Sequence, residues 1–454
     1  MHTLLSSGSN ARGQLGNAST DDSHFFQRCS FDGYPPFHLP TQTTRVVDLV
    51  TGANHTILLL ELSDGPGCKR EIWGAGDGTK GQLGCFGSQS TENPLQTSSV
   101  FRKIELPLLE AGLEDHSFKF IGATWETSYI VLSCDGKDDV VLSMGSDDYG
   151  DLGIASLQSN RVFNIVDFEH LFDKSGSTLK GDRFIVNSLT SGQRHIILDL
   201  RIMFCGKPSA EEIVVGWGMS RHGQLGVASP SIQKPPSLMS TPQVVSVSRP
   251  LDPIIATALG LHHSIFLHAS GHLTSLGSDR KGQLQLVPNV ECAKDVKCTW
   301  NGTYCIVPDG SAWSLLSSGS NTHGQLGHEG SAGRVVFPNT VNATTDTSVQ
   351  IACGSEHVLA LIQSRDAIPT SQIWGWGWNE HGNLGLGNTE DVRLPVRVWP
   401  LGEGISVDVY GVWGGCGTSW IYCEHRESFL CLESKLSVGQ FSCAFLSAAD
   451  LVHP

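Results

Sequence analysis

Four histidines of this chain occupy equivalent places in a recurring pattern and are the first candidates for chemistry. The pattern is a small residue, two variable residues, a hydrogen-bonding residue and a short apolar run. Its hydrogen-bonding position, which we call the slot, holds His55, His195, His263 and His357, and elsewhere Thr127, Thr303 and Thr418. Imidazoles brought together around an axis could bind a metal ion, but threonine is a poor ligand. We therefore expect the slot to hydrogen-bond to nearby backbone and to bind no metal.

Other arrangements typical of catalysis do not stand out. The glycines from Gly74 to Gly78, with Lys80 after them, resemble a phosphate-binding loop, but no helical pattern follows them. No Ser/His/Asp group or pair of carboxylates is distinguishable from the repeated background. The sequence therefore predicts a protein that is not an enzyme and that needs no cofactor.

A run of alternating tryptophan and glycine is a candidate for binding or packing. Trp374, Trp376 and Trp378 lie two residues apart, so a strand would direct all three to one side. We expect the first two to pack between structural units. Trp378 comes where the strand gives way to the turn Asn379-Glu380-His381, and an aromatic residue at such a place is suited to anchor a partner protein.

Several acidic segments of the sequence have two possible interpretations. They comprise Glu114-Asp115, Asp138-Asp139, Asp147-Asp148 and Asp151. The favoured reading is that they are ordinary solvated loops, and the alternative is that they steer a basic partner.

The elements that position these residues follow from a second repeated motif, G-x4-G-x-L-G. It occurs seven times, first at Gly8–Gly16, and only the fifth copy departs, ending in Leu284-Gln285. Short apolar strands run into its first glycine, its polar x4 segment is typical of a turn, and its leucine is suited to fill the core. Seven units that cannot bury both faces alone indicate an all-β, seven-bladed β-propeller.

The order of the two motifs along the chain predicts how the ring closes. The first G-x4-G motif has no slot before it, and the last slot, Thr418, has no G-x4-G motif after it. Together they make one unit, closed by the N-terminal strand. The segment from Gly282 to Thr303 is much shorter than its counterparts, so we expect that blade to lack a strand. The propeller should span residues 1–423, and residues 424–454 match no repeat and form a C-terminal extension.

Composition narrows the classes of partner. The 454 residues carry a formal charge of −15, which disfavours direct binding of nucleic acid. There is no stretch of 18 apolar residues that could cross a membrane and no secretory signal pattern. The 13 cysteines show no C-x2-C pair and are expected to be reduced thiols, typical of a cytoplasmic protein.

The motifs resemble a known family. The sequence Gly-Ser-Asn-x-x-Gly-Gln-Leu-Gly at 8–16 and 319–327 resembles the regulator of chromosome condensation repeat, which forms a seven-bladed propeller. The segments 374–383, 414–421, 125–128 and 353–357 resemble its fungal alpha-tubulin suppressor branch. This resemblance implies a heterodimer with the small zinc-finger diphthamide-biosynthesis protein. It also implies an indirect connection to the Elongator complex, and roles in tRNA wobble-uridine modification and diphthamide synthesis, in the cytoplasm and also in the nucleus.

The resemblance also implies a partner-binding patch on one face of the propeller. Its expected members are Trp378, Glu380 and His381, together with Trp420 and Trp125, for which packing is the favoured role. Two alternatives stay open. One is a guanine-nucleotide exchange factor for the Ran GTPase, the activity of the founding member, although no basic tail precedes the first repeat. The other is a generic adaptor propeller, for example in ubiquitin ligation.

Overall fold

The structure is a computed structural model that describes residues 2–65, 67–84, 97–155, 162–171, 183–204, 210–226, 235–247, 251–310, 312–338, 347–364, 370–401 and 407–425. These residues form seven antiparallel sheets around a central channel, whose mouth is lined by residues of all seven. The prediction of a seven-bladed β-propeller is confirmed. Residues 426–454, most of the proposed C-terminal extension, lie outside the described residues.

The first two strands are β1 (His2–Gly8) and β2 (Ser23–Arg28). Blade 1 comprises β3 (Thr43–Thr51), β4 (His55–Asp64), β5 (Gly67–Gly76) and β6 (Ser98–Lys103). Blade 2 comprises β7 (Ser117–Ala123), β8 (Thr127–Ser133), β9 (Val140–Gly145) and β10 (Asn164–Ile165). Blade 3 comprises β11 (Arg183–Ser191), β12 (His195–Met203), β13 (Ala210–Met219) and β14 (Leu238–Val244).

Blade 4 comprises β15 (Ile254–Leu259), β16 (His263–His268) and β17 (Leu273–Gly277). Blade 5 comprises β18 (Asp295–Thr299), β19 (Gly302–Asp309), β20 (Ala312–Gly319) and β21 (Ala332–Arg334). Blade 6 comprises β22 (Thr347–Cys353), β23 (His357–Ser364), β24 (Thr370–Gly377) and β25 (Val392–Trp399). Blade 7 combines β26 (Val407–Gly414) and β27 (Thr418–His425) with β1 and β2, and two 3-10 turns lie at Glu169–Leu171 and Val287–Asn289.

The core lies between the blades, and the two-residue period of each strand explains why. In β4, Leu58 and Leu60 pack towards blade 7, in one cluster with Trp420. Ile57 and Leu59, which point to the other side of the sheet, pack towards blade 2. Both faces of the strand are therefore buried, but only because each blade has two neighbours, so the ring must be complete to be stable.

The ring closes through blade 7, as the order of the motifs predicts. Strand β1 pairs antiparallel with β27, with Leu4 opposite Tyr422 and Leu5 opposite Ile421. The N-terminus contributes two strands to this blade rather than one, because β2 pairs with the other edge of β1. Leu4 is buried against blade 1 and Leu5 against blade 6, so this strand joins the cores on both sides of the closing blade.

Blade 4 has three strands, which confirms the prediction that the short unit lacks one. Residues 251–310 are described throughout, and the 3-10 turn Val287–Asn289 takes the place where other blades have an outer strand. Val287 and Val290 of this turn are buried against the cluster that joins blades 4 and 5. The turn thus covers the apolar edge that the missing strand would have covered.

Candidate partner interface

Slots and G-x4-G turns lie at the same end of every blade. The slot residue pairs with the first glycine of the turn in each sheet, as His55 does with Gly76. Gly76 has a φ of +98°, and a Cβ atom there would lie 2.2 Å from the Asn54 carbonyl oxygen, so only glycine fits. We call this end of the propeller the motif face.

The four slot histidines join neighbouring blades by hydrogen bonds. Each Nε2 lies 3.0 to 3.2 Å from a hydroxyl oxygen of the next blade, in the pairs His55–Ser128, His195–Ser264, His263–Thr303 and His357–Ser419. Ser264 donates its own proton to the Gln224 carbonyl at 2.7 Å, so His195 must be the donor in its pair. The expected structural role is confirmed, but the acceptor is a side chain of the adjacent blade rather than nearby backbone.

Burial keeps these histidines neutral. Desolvation lowers the pKa of His55, His263 and His357 to about 4, and that of His195 to about 3. Within the part of the chain that the structure describes, no group of three or more histidine, cysteine or acidic side chains is placed to hold a metal ion.

The assignment of Thr303 to the slot is wrong. In blade 5 the residue that pairs with the turn glycine Gly319 is Gly302, and Thr303 stands one place later. Thr303 is instead the hydrogen-bond partner of His263 from the preceding blade. The error arose because the sequence pattern selects a hydrogen-bonding residue, which Thr303 is and Gly302 is not.

The junction of blades 6 and 7 gives a quantitative prediction. His357→Leu should lower the free energy of unfolding by about 1–3 kcal/mol, because it removes the hydrogen-bond partner of the buried Ser419 hydroxyl. In a double-mutant cycle with Ser419→Ala, the coupling energy should be about 1 kcal/mol, measured by urea denaturation. Additive effects of the two substitutions would contradict the pairing.

Three of the predicted partner-binding residues lie together on the motif face. Trp378 is half-buried, and its ring meets that of His381 edge-on at 5.3 Å. Its indole Nε1 donates to Glu380 Oε2 at 3.3 Å. His381 is fixed in turn by Asp22, with 2.7 Å between Nδ1 and Oδ2. Trp378, Glu380 and His381, together with Gly417 below, form what we call the Trp378 patch.

Gly417 of blade 7 provides the floor of this patch. A Cβ atom at position 417 would lie 3.2 Å from the Trp378 ring and 3.3 Å from the His381 ring. The prediction that the 414–421 segment and the turn after Trp378 come together is confirmed. Sequence reasoning missed His323 of blade 5, whose ring lies 6.3 Å from Trp378 on the remaining side.

The other tryptophans have different surroundings. Trp374 and Trp376 are buried between blades 5 and 6, as expected, and Trp376 donates to the Gln325 carbonyl at 2.8 Å. Trp420 is fully buried in the cluster between blades 7 and 1, so it has no surface to offer a partner. Its place in the predicted patch is therefore corrected to packing.

Trp125 belongs to the motif face but not to the Trp378 patch. It lies at the mouth of the central channel, with its ring 6.4 Å from that of Trp300. The two tryptophans line a cavity of about 210 Å³, together with residues that precede the slots, such as Gly52, Gly192 and Gly354. The backbone of Trp125 also links blades, accepting from Ala53 N–H and donating to the Gln193 carbonyl.

The acidic runs are largely structural rather than solvated. Asp139 is buried, pairs with Lys119 at 2.7 Å and accepts from the Val186 N–H. Asp151 is buried and accepts from Thr124 and Thr127. Asp147 accepts from the Leu152 N–H inside its own turn. The expectation of ordinary solvated loops is wrong for these residues, because each carboxylate satisfies backbone or side-chain donors at a turn or blade junction.

Comparison with known families finds two matching segments. Residues 314–361 and 371–417 match the model described as the regulator of chromosome condensation (RCC1) repeat. These two segments resemble RCC1 repeats. Each match runs from the third strand of one blade into the next blade, and the second contains both Trp378 and Gly417.

A relative and two solved structures resemble nearly the whole chain. The RCC1 repeat-containing protein C10F6.04 of Schizosaccharomyces pombe is 26% identical over 434 residues, covering 93% of this chain and 99% of that protein. Human WBSCR16 has a TM-score of 0.65 at 18% identity, covering 94% of this chain and 100% of the other. Prp20p of Saccharomyces cerevisiae, studied for its binding to Gsp1p and histones, has a TM-score of 0.65 at 17% identity, covering 94% and 92%. These structures share the fold.

No helix in the described ranges is long and apolar enough to cross a lipid bilayer.

Proposed function

We propose that this propeller is a non-catalytic interaction platform whose partner is the small zinc-finger diphthamide-biosynthesis protein. In this role it would form a heterodimer that supports diphthamide synthesis and, indirectly, Elongator-dependent modification of tRNA wobble uridines. It would act in the cytoplasm and also in the nucleus, without binding nucleic acid or a membrane itself.

One observation carries the proposal. The motifs that resemble the fungal alpha-tubulin suppressor branch lie in separate repeats, yet Gly417 from one of them lies directly beside the Trp378 ring from another. The contact leaves a half-buried tryptophan between two histidines on the surface, held by Glu380 and by the His381–Asp22 pair. A rigid, partly exposed tryptophan is a typical energetic anchor of a protein interface.

The Trp378→Ala variant tests this interface. It should weaken binding of the zinc-finger protein by at least about tenfold, because truncating a central aromatic anchor commonly costs 2 kcal/mol or more. Its melting temperature should stay close to that of the wild type, since the ring is only half-buried. Isothermal titration calorimetry with the two purified proteins measures the change.

Trp313→Ala is the matched control. Trp313 is also half-buried, but it lies at the opposite end of blade 5, next to the β19–β20 hairpin. This variant should bind the partner with wild-type affinity. Equal affinity of Trp378→Ala and wild type would exclude the Trp378 patch as the interface.

A further inference from the structure

Three arginines and two histidines lie on the motif face at blades 3 and 4, away from the Trp378 patch. The slot of blade 3 contributes Arg194, its turn contributes Arg221 and His222, the slot of blade 4 contributes His262, and its turn contributes Arg280. We call these five residues the basic cluster. They converge because the residue before each slot lies beside the turn of the preceding blade.

Two contacts fix the geometry of the basic cluster. The imidazole rings of His222 and His262 lie 4.2 Å apart, across the junction of blades 3 and 4. The Arg194 guanidinium lies 4.5 Å above the ring of Tyr149, from the turn of blade 2, and is half-buried there. Its Nε atom is buried without a hydrogen-bond acceptor. The cluster therefore holds a donor already oriented and desolvated.

The positive charges of the cluster are not balanced. Among the residues that the structure describes, none of Arg194, Arg221 and Arg280 forms an ion pair with a carboxylate, although the chain carries a net charge of −15. The nearby Asp279 uses an oxygen to accept from the Leu284 N–H at 2.7 Å.

The arginines lie close enough to the two histidines to influence their titration. Burial lowers the pKa of His262 to about 4, with further lowering by His222, Arg194 and Arg280. The pKa of His222 is also lowered, by burial and then by Arg280 and Arg221. A multivalent anion bound by the arginines would offset their positive charge.

The chemistry favours a phosphate group over a carboxylate. Three arginines near the His222–His262 pair offer more donors than a single carboxylate can use, and planar guanidinium forks match phosphate oxygens. A long polyanion is disfavoured, because the neighbouring junction on the same face carries two acidic residues, Glu126 and Asp148. Burial and then the nearby Asp148 raise the pKa of Glu126. A single phosphate group on a protein segment offers enough acceptor oxygens for the arginines and avoids the negative charge of a long polyanion.

We propose that the basic cluster binds a phosphate monoester carried by a segment of a partner protein. The site is separate from the Trp378 patch, so its test does not depend on the identity of the partner in the proposed function.

Nuclear magnetic resonance of the imidazole Cε1–H signals tests the site, with the two signals assigned by their loss in His222→Gln and His262→Gln. The peptide Gly-phosphoserine-Gly should shift both signals saturably, with a dissociation constant on the order of 1 mM or tighter. Inorganic phosphate should compete with it. The unphosphorylated peptide should bind at least about tenfold more weakly.

Variants distinguish binding at this site from a general attraction of the phosphopeptide to cationic side chains. Arg194→Gln and the exposed Arg280→Gln should each weaken phosphopeptide binding by about tenfold. Arg45→Gln removes the same charge from the opposite end of blade 1, where Arg45 is paired with Glu61, and should have no effect. Equal shifts by the unphosphorylated peptide, wild-type binding by both cluster variants, or tighter binding of a ten-residue oligouridylate would overturn the proposal.

Discussion

Removing residues 1–7 should lower the free energy of unfolding by about 5 kcal/mol or more, although this segment is a small part of the chain. The deletion takes away the ladder hydrogen bonds between β1 and β27 and the buried side chains of Leu4 and Leu5. Each leucine alone is worth about 2–5 kcal/mol when truncated in a core. Because they belong to the cores on both sides of blade 7, the loss should open the ring. Urea denaturation followed by tryptophan fluorescence measures it.

Adding the missing strand in trans provides the control. A synthetic peptide of residues 1–8 should bind the truncated propeller and restore much of its stability, because it can re-form the ladder with β27. The same peptide with both leucines replaced by serine should neither bind the truncated propeller nor restore its stability. If the truncated chain unfolds at the same urea concentration as the full chain, closure by β1 is not what stabilises the ring.

Acid should also destabilise the propeller strongly, through the slot histidines. Their folded pKa values of about 3 to 4 lie below the value of about 6.5 expected for the unfolded chain. The unfolded chain therefore binds more protons in this window. The stability contributed by neutral histidine is complete above pH 6.5 and is lost as the pH falls towards 4.

Buried acids oppose this trend. Burial raises the pKa of Asp48 and of Asp151 to about 6, so their contribution runs in the other direction and is lost as the pH rises through 6. Burial also raises the pKa of Glu356, whereas the lowered pKa of His262 adds to the loss of stability in acid. We expect the free energy of unfolding to fall as the pH is lowered from 6 to 4.5, with a positive slope against pH. Urea denaturation at several pH values measures this slope.

His195→Gln should reduce the slope by about 1.4 kcal/mol per pH unit, the equivalent of one proton, while its amide can still donate to Ser264. His38→Gln, which removes an imidazole from an exposed loop, is the control and should leave the slope as it is. An unchanged slope in His195→Gln would show that the slot histidines do not cause the acid sensitivity.

Much of the fold could be predicted from the sequence because repetition made its signals redundant. Seven copies of the turn glycine, and the unmatched motifs at Gly8 and Thr418, determine both the number of blades and the place of closure. The slot in blade 5 was misassigned because the pattern requires a hydrogen-bonding residue, whereas a glycine, Gly302, occupies the slot there and Thr303 follows it. Only the pairing of Gly302 with Gly319 distinguishes them.

The candidate site could be predicted only in part, since it depends on contacts between repeats. The sequence placed Trp378, Glu380 and His381 on one turn, and that local arrangement is present. It could not show that Trp420 points into the core, because an alternating strand leaves the direction of each side chain open until its neighbours are known. The basic cluster was missed because its five members are scattered over four motifs of two blades. Aligning the residue before each slot with the preceding turn would have indicated it.

The central claim is that this propeller is a platform for the zinc-finger diphthamide-biosynthesis protein. Affinity purification of the tagged chain with mass spectrometry tests this claim most directly. The wild-type chain should recover that protein, and the Trp378→Ala chain, expressed to the same level, should recover much less of it. Recovery of Ran or of ubiquitin-ligation components by the wild-type chain, with none of the zinc-finger protein, would contradict the account.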